Sequence, residues 1–450
     1  MFDILWNLMF FVVALGVLIT FHEFGHFWVA RRCGVKVLRF SIGFGKPLAS
    51  WTDRLGTEYV IAAIPLGGYV KMLDERVDDV AEDELDQAFN QKSVLQRIAI
   101  VAAGPLANII LAIVAFWLMF VSGVQTVHPI ITGASVNSIA AEAGIDRQMQ
   151  IVAVDGQETP DWETVNLAFV AKIGGQSLTI QTQDLESSAR QEYRLDLASW
   201  KFDPEKETAV SSLGLEPFRP HIELLISNVE AGSPADTAGF MVGDLILGVD
   251  GDSISRWEDI ATRIQGSPLR VLTFQIERDS QVLDIQATPG ERRVRGEYQG
   301  FLGIAPTVQS WPDNFVFELS YGVFESVEKA VDRTWQLISL SISMIGKLIT
   351  GDVSVKNLSG PISIAQGAGA SASFGFVYFL GFVALISVNI GIINLLPLPV
   401  LDGGHLLYYF IELLTGKPVP QKVQEVGFRI GSFALLMLMG LALFNDFSRL

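Results

Sequence analysis

Four stretches of this chain are apolar for long enough to cross a lipid bilayer, and a bilayer admits few folds. They run from about Ile4 to Ala30, Ile98 to Val121, Phe376 to Leu396, and Ile430 to Phe444, the last being the shortest. A helix needs about 20 residues to span the hydrocarbon, and it survives there because it satisfies its own backbone hydrogen bonds. Composition agrees: half of the residues are apolar and only 18% are charged, against about a quarter charged in soluble domains. The first stretch does not read as a cleaved signal peptide. Asp3 is its only early charge, and no small-residue cleavage site precedes Arg31, so it is expected to stay as a span.

Basic residues set the expected orientation. Arg31, Arg32, Lys36 and Arg39 follow the first span, Lys92 and Arg97 precede the second, and Lys417, Lys422 and Arg429 separate the third from the fourth. By the positive-inside rule these places are cytoplasmic. Both termini and the region from about 125 to 330 then lie on the opposite side, the periplasm if the membrane is a bacterial inner membrane. The net charge of −17 argues against a nucleic-acid partner, which demands a basic surface. The acidic block from Asp74 to Asp86 reads as a solvated loop. The single cysteine, Cys33, precludes an internal disulfide and reads as a small residue packed at a helix end.

Between the first two spans, residues 57–71 are rich in β-branched and aromatic residues around Pro65-Leu66-Gly67-Gly68-Tyr69. Short strands turning at the glycines are expected, forming a hairpin able to dip into the bilayer where protein covers its backbone. The central region repeats itself. Ser138 to Ile145, Ile151-Val-Ala-Val-Asp-Gly156 and Trp162 recur as Ser233 to Phe240, Gly243 to Gly251 and Trp257, offset by 95 residues. That offset holds one small β domain per copy. The pattern resembles PDZ domains of the bacterial protease type, which bind peptides by strand addition. The first copy departs from it, lacking the Pro after Ser138 and the Gly-Asp step. Val331 to Leu348 reads as an amphipathic helix at the periplasmic surface or a buried one, and Asn357 to Ser363 as a turn. The expected organisation is therefore 1–125 (two spans and a cytoplasmic-side β-loop), 126–221 and 222–308 (two PDZ-like domains), 309–375 (surface helix and linker) and 376–450 (two spans). The fold class is a four-span α-helical membrane protein with a membrane-associated β-hairpin and two periplasmic β domains.

His22-Glu23-Phe24-Gly25-His26 lies inside the first span. Residues four apart share a helix face, so both imidazoles can bind one metal, and Glu23 beside them can take a proton from a water that the metal activates. Two histidines and a glutamate in lipid are expensive unless something compensates them, and a zinc ion does so directly. Nine residues, or roughly 13 Å of helix, separate His22 from Arg31, placing the site below the cytoplasmic surface. A zinc hydrolase wants three protein ligands and an open position. Asp402, in Asn394-Leu-Leu-Pro-Leu-Pro-Val-Leu-Asp-Gly-Gly404, is better placed for the third than His128 or His221, which fall in the periplasmic region. His405 could be a ligand or a neighbouring group, and reads as a polar helix start.

Taken together, the His-Glu-Phe-Gly-His span, the Leu-Asp-Gly-Gly turn and the PDZ pair resemble the site-2 protease family over nearly the whole chain. The resemblance implies one catalytic zinc held by His22, His26 and Asp402, with Glu23 catalytic. It makes Asn394 a candidate to hold the substrate strand or the oxyanion, and Pro65 to Tyr69 (Pro65, Leu66, Gly67, Gly68, Tyr69) the membrane-associated β-loop. It further implies regulated intramembrane proteolysis in an envelope stress response. The substrates would be single-span membrane proteins, typically an anti-sigma factor trimmed first by a periplasmic protease, and signal-peptide remnants. A PDZ-bearing scaffold with a structural zinc, or a zinc transporter, are the rival classes. Glu23 argues against the first, and the single intramembrane cluster against the second.

Overall fold

The computed structural model describes residues 2–77, 79–202, 207–294, 297–350 and 359–449. Asp78 of the acidic block, Asn357 and Leu358 of the expected turn, and the side chain of Leu66 lie outside that description. The chain forms two compact units, residues 1–126 with 318–446, and residues 127–317 with 447–450.

The first unit is built on helices, numbered here α1 (Phe2–Arg32), α2 (Val94–Ser122), α3 (Val323–Thr350), α4 (Pro361–Ser373), α5 (Phe376–Leu395), α6 (Asp402–Thr415) and α7 (Gln421–Arg449). Among the described residues, four are long and apolar enough to cross a membrane: Asp3–Arg32, Val94–Ser122, Phe376–Leu395 and Gln421–Ser448. The fourth begins at Gln421 rather than near Ile430, because Gln421 to Arg429 contains no proline and its one glycine, Gly427, costs only about 1 kcal/mol in a helix interior. Hydropathy marks the apolar middle of such a helix, not its ends. α2 opens with a capping box, the Ser93 side chain accepting from Gln96 N. It packs against α1, α3, α5 and α6. Small residues let it come close: Gly25 of α1 lies where a Cβ would run into the Ala103 carbonyl and the Ala107 methyl.

α3 starts at Val323, ahead of the expected Val331, and packs against α2 and α5. Its buried edge is Ser326, Ala330, Thr334 and Leu337, while Phe324, Val327, Val331 and Trp335 are exposed. The expected turn at 357–363 is corrected where it is described, because Pro361 opens α4. Proline suits a first helical position, where no N–H is needed. The carboxylate of Asp446 in α7 caps this helix, accepting from Gly360 N at 2.9 Å and Ile362 N at 2.8 Å.

The hairpin also departs from expectation. Its strands are β1 (Val37–Thr52) and β2 (Glu58–Met72), and its turn is at Asp53–Thr57, where the Asp53 carboxylate accepts from Leu55 N and Thr57 N. The stretches on either side of Pro65–Gly67 do not pair with each other. Arg39 to Ile42 lies between them, with partners at 58–61 on one side and 68–71 on the other. Pro65–Gly67 is therefore a crossover around the end of that segment. Gly43 has φ of +93°, and a Cβ there would press on the carbonyls of Ile64 and Ala62, so glycine is required for the crossing. The acidic block is not simply solvated. Asp74 is buried and ion-paired with Arg76, and Glu84 pairs with Lys36. Burial pushes the Asp74 carboxyl up, but the Arg76 bonds outweigh it and hold the group below the usual carboxylate range.

The second unit carries two six-stranded sheets, spanning 130–217 and 222–308, with the same strand order. Each surrounds its own core, one centred on Ile151, Phe169 and Ile180, the other on Ile246, Ile260 and Phe274. The repeat read from sequence is a repeat in space. Asp155 and Asp250 both adopt left-handed backbone (φ of 47° and 52°), and each carboxylate accepts a backbone N–H, from Thr179 and Thr273, at 2.8 Å. The copies differ at one buried pair: Asp244, fully buried, bonds to Arg278 at 2.6 Å, where the first copy has Met149 and Gln183. That copy buries an apolar side chain in place of the ion pair, an exchange cores tolerate.

Candidate metal centre

α1 presents His22 and His26 one helical turn apart, and their Nε2 atoms stand 3.3 Å from each other. Asp402, the first residue of α6, brings its Oδ2 to 3.2 Å from the Nε2 of His22 and 3.4 Å from that of His26. All three side chains are largely buried. Asp402 therefore sits in the first helical turn rather than in the Pro-rich turn preceding it. That turn, Leu396–Leu401, doubles the chain back tightly under the end of α5. A Cβ at Gly403 or Gly404 would strike the backbone of Leu395, Leu396 or Leu398, so the two glycines let α6 begin close enough for Asp402 to reach the histidines. Arg97 of α2 fixes the other end of α6. It forms a two-pronged bond to Glu412 (2.8 and 3.2 Å), and its guanidinium lies over the Tyr409 ring.

The proton positions follow from the outer contacts. His26 Nδ1 lies 2.9 Å from the Ile100 carbonyl, which can only accept, so Nδ1 carries the hydrogen, and in the neutral ring Nε2 presents a bare electron pair. That pair faces a carboxylate oxygen that is buried and without a hydrogen-bond donor. Three ligand atoms from His22, His26 and Asp402 lie within 4.8 Å of one another. Electron-pair donors converging in a buried place repel each other unless a cation lies among them, so the residues fit a metal ion. Imidazole and carboxylate are the donors a borderline ion such as zinc takes. Gly104 of α2 keeps the space open, for a Cβ there would overlap His26 Nε2.

Glu23 is placed beside this cluster and against the hairpin, its Cγ next to Gly68 of β2. Gly67 rests on the Phe44 ring, and Tyr69 stacks on Phe44 while its hydroxyl accepts from Arg39 at 3.2 Å. Among the described residues, 68–71 have ladder partners on one side only, in β1. Asn394 lies half-buried one residue before the end of α5, and none of the described bonds of the three donors reaches it. His405 is exposed on α6 and is not among the clustered donors. His128 and His221 belong to the second unit. Sequence reasoning missed the groups behind the histidines, the Ile100 carbonyl and Asn108. The second had a signal, being an amide in the middle of a span.

A peptidase with its histidine pair on a membrane helix is a known class, and residues 10–438 match the model of Peptidase family M50; the chain belongs to that family of site-2 proteases. It is 55% identical to the Regulator of sigma-E protease RseP of Escherichia coli (strain K12) and 56% identical to the protein of that name from Salmonella typhimurium (strain 14028s / SGSC 2262), in each case over all of both chains. A relative from Vibrio cholerae, 51% identical over all of both chains, has a name that includes the words zinc metalloprotease.

Proposed function

We propose that this chain is an intramembrane zinc endopeptidase that cuts the membrane spans of single-span proteins. The observation that carries this reading is the convergence of His22, His26 and Asp402 beside Glu23. His22, His26 and Asp402 would hold one zinc ion, leaving a position open. When bound, zinc supplies Lewis acidity, making water nucleophilic near neutral pH and polarising the scissile carbonyl. Glu23 accepts the proton of the attacking water and delivers it to the departing amide nitrogen. Asn394 holds the substrate strand or the developing oxyanion.

A helical span hides its carbonyls in i to i+4 bonds and must unwind before it is cut. The open edge at Gly68–Lys71 offers replacement bonds by strand addition, delivering the unwound strand to Glu23. Substrates weakened by Gly or Pro are favoured. The basic residues after the first span and before the second orient the site toward the cytoplasm of a bacterial inner membrane, and the duplicated β domains, PDZ-like in their motifs, lie in the periplasm. There they exclude substrates with bulky periplasmic parts, so that a periplasmic protease acts first. An anti-sigma factor is the expected substrate in an envelope stress response, with signal-peptide remnants as a second class. A structural zinc scaffold leaves Glu23 without a purpose.

Metal analysis and a cleavage assay on wild type and Glu23→Gln in detergent test this. Both proteins should hold one zinc, and only wild type should cut a transmembrane model substrate. Cleavage by Glu23→Gln, or a wild-type rate indifferent to chelator, overturns the reading.

A further inference from the structure

Asn108 lies at the middle of α2, fully buried, and its Oδ1 is without a hydrogen-bond partner. A buried amide oxygen left unpaired is costly and calls for an explanation. Its other end, Nδ2, lies 3.2 Å from Nδ1 of His22. Two contacts hold the residue in place from α5: the Ser387 hydroxyl donates to the Asn108 carbonyl at 2.7 Å, and Gly391 packs against its Cβ.

The chemistry of His22 assigns that amide a task. To turn a bare Nε2 toward a metal, the neutral imidazole must carry its hydrogen on Nδ1, and that N–H needs an acceptor. For His26 the acceptor is the Ile100 carbonyl, two turns earlier on α2. For His22 the only described group at Nδ1 is the Asn108 amide, which has a donor at one end and an acceptor at the other. A half-turn about its terminal torsion exchanges the ends with almost no change of shape. It gives the unpaired Oδ1 a donor and leaves Nε2 free.

We propose that Asn108 is the positioning residue for His22: its Oδ1 accepts the Nδ1 hydrogen, fixing the tautomer and ring orientation that zinc requires. α2 would thus supply the outer partner of both histidines. This rests on the zinc-site reading above. Groups in this position change metal affinity by about 10- to 100-fold when removed.

The test is zinc affinity by competition with a chelator, in the full-length purified protein, for wild type, Asn108→Asp and Asn108→Leu. Asp keeps the acceptor and cannot donate, so its affinity should equal or exceed wild type, whereas Leu should weaken binding by about 10-fold or more. A merely structural amide predicts the reverse order, because Asp buries a charge. Wild-type affinity in Asn108→Leu overturns the proposal, and so does a loss of about 10-fold in Asn108→Asp. The second result decides the matter even where the Leu variant does not fold. A wild-type protein that binds no zinc at all refutes the metal centre itself, a distinguishable outcome.

Discussion

Gly68 of the hairpin and Glu23 of the first span are in contact: a Cβ at position 68 would stand 2.9 Å from Glu23 Cγ and 2.8 Å from Ile19 Cγ2. The strand edge and the proposed proton carrier are thus parts of one surface. Gly68→Val should displace Glu23 or push the hairpin away. Displacements of about 1 Å in a catalytic group cost on the order of 100-fold in rate. Cleavage should fall by at least about 10-fold while the zinc content, set by other residues, stays at the wild-type level. Unchanged cleavage would disprove the coupling.

Gly104 bears on the metal rather than on the proton. Its missing Cβ leaves the space that His26 Nε2 occupies, so Gly104→Ala should weaken zinc binding about 10-fold or more. Equilibrium dialysis of the variant against buffered zinc measures this directly. Full affinity would mean that the imidazole can sit elsewhere.

Arg97 and Glu412 hold α6 to α2 with side chains only 13% and 14% exposed. Removing one partner strands the other charge. Glu412→Ala should therefore lower stability by about 3 kcal/mol, and the double replacement Arg97→Met, Glu412→Met should recover much of the loss. Thermal unfolding in detergent compares the three. A single variant as stable as wild type would show that the pair carries little.

Zinc should also stabilise the fold, because the proposed site exists only where both α1 and α6 are in place. At a free concentration about 100 times its dissociation constant, a ligand adds about 2.7 kcal/mol. The melting temperature should rise on adding zinc to metal-stripped wild type and stay constant for His22→Ala or Asp402→Ala. An equal rise in all three would place the ion somewhere else.

The parts of this molecule legible in sequence are those written in local pattern. Hydropathy marks the four spans, the i, i+4 spacing of His22 and His26 puts them on one face, and the Pro and Gly residues around Asp402 announce a break in the chain. The offset between Asp155 and Asp250 carries the duplicated sheets. What escaped depends on contacts distant in the chain. Val37–Thr52 is a strand because part of it lies between two halves of β2, a pairing that no local signal encodes. Proline is ambiguous in the same way: it marks turns and helix starts alike, and Pro361 opens a helix that Asp446, far along the chain, caps. The Ile100 carbonyl was invisible because any residue has one.

The order of the metal donors along the chain has a consequence for biosynthesis. His22 and His26 are made with α1, but Asp402 follows only after α2 to α5 have been made. A nascent chain, or one released early, carries an incomplete donor set. The complete donor set thus arises late, with the closing of the helical scaffold itself.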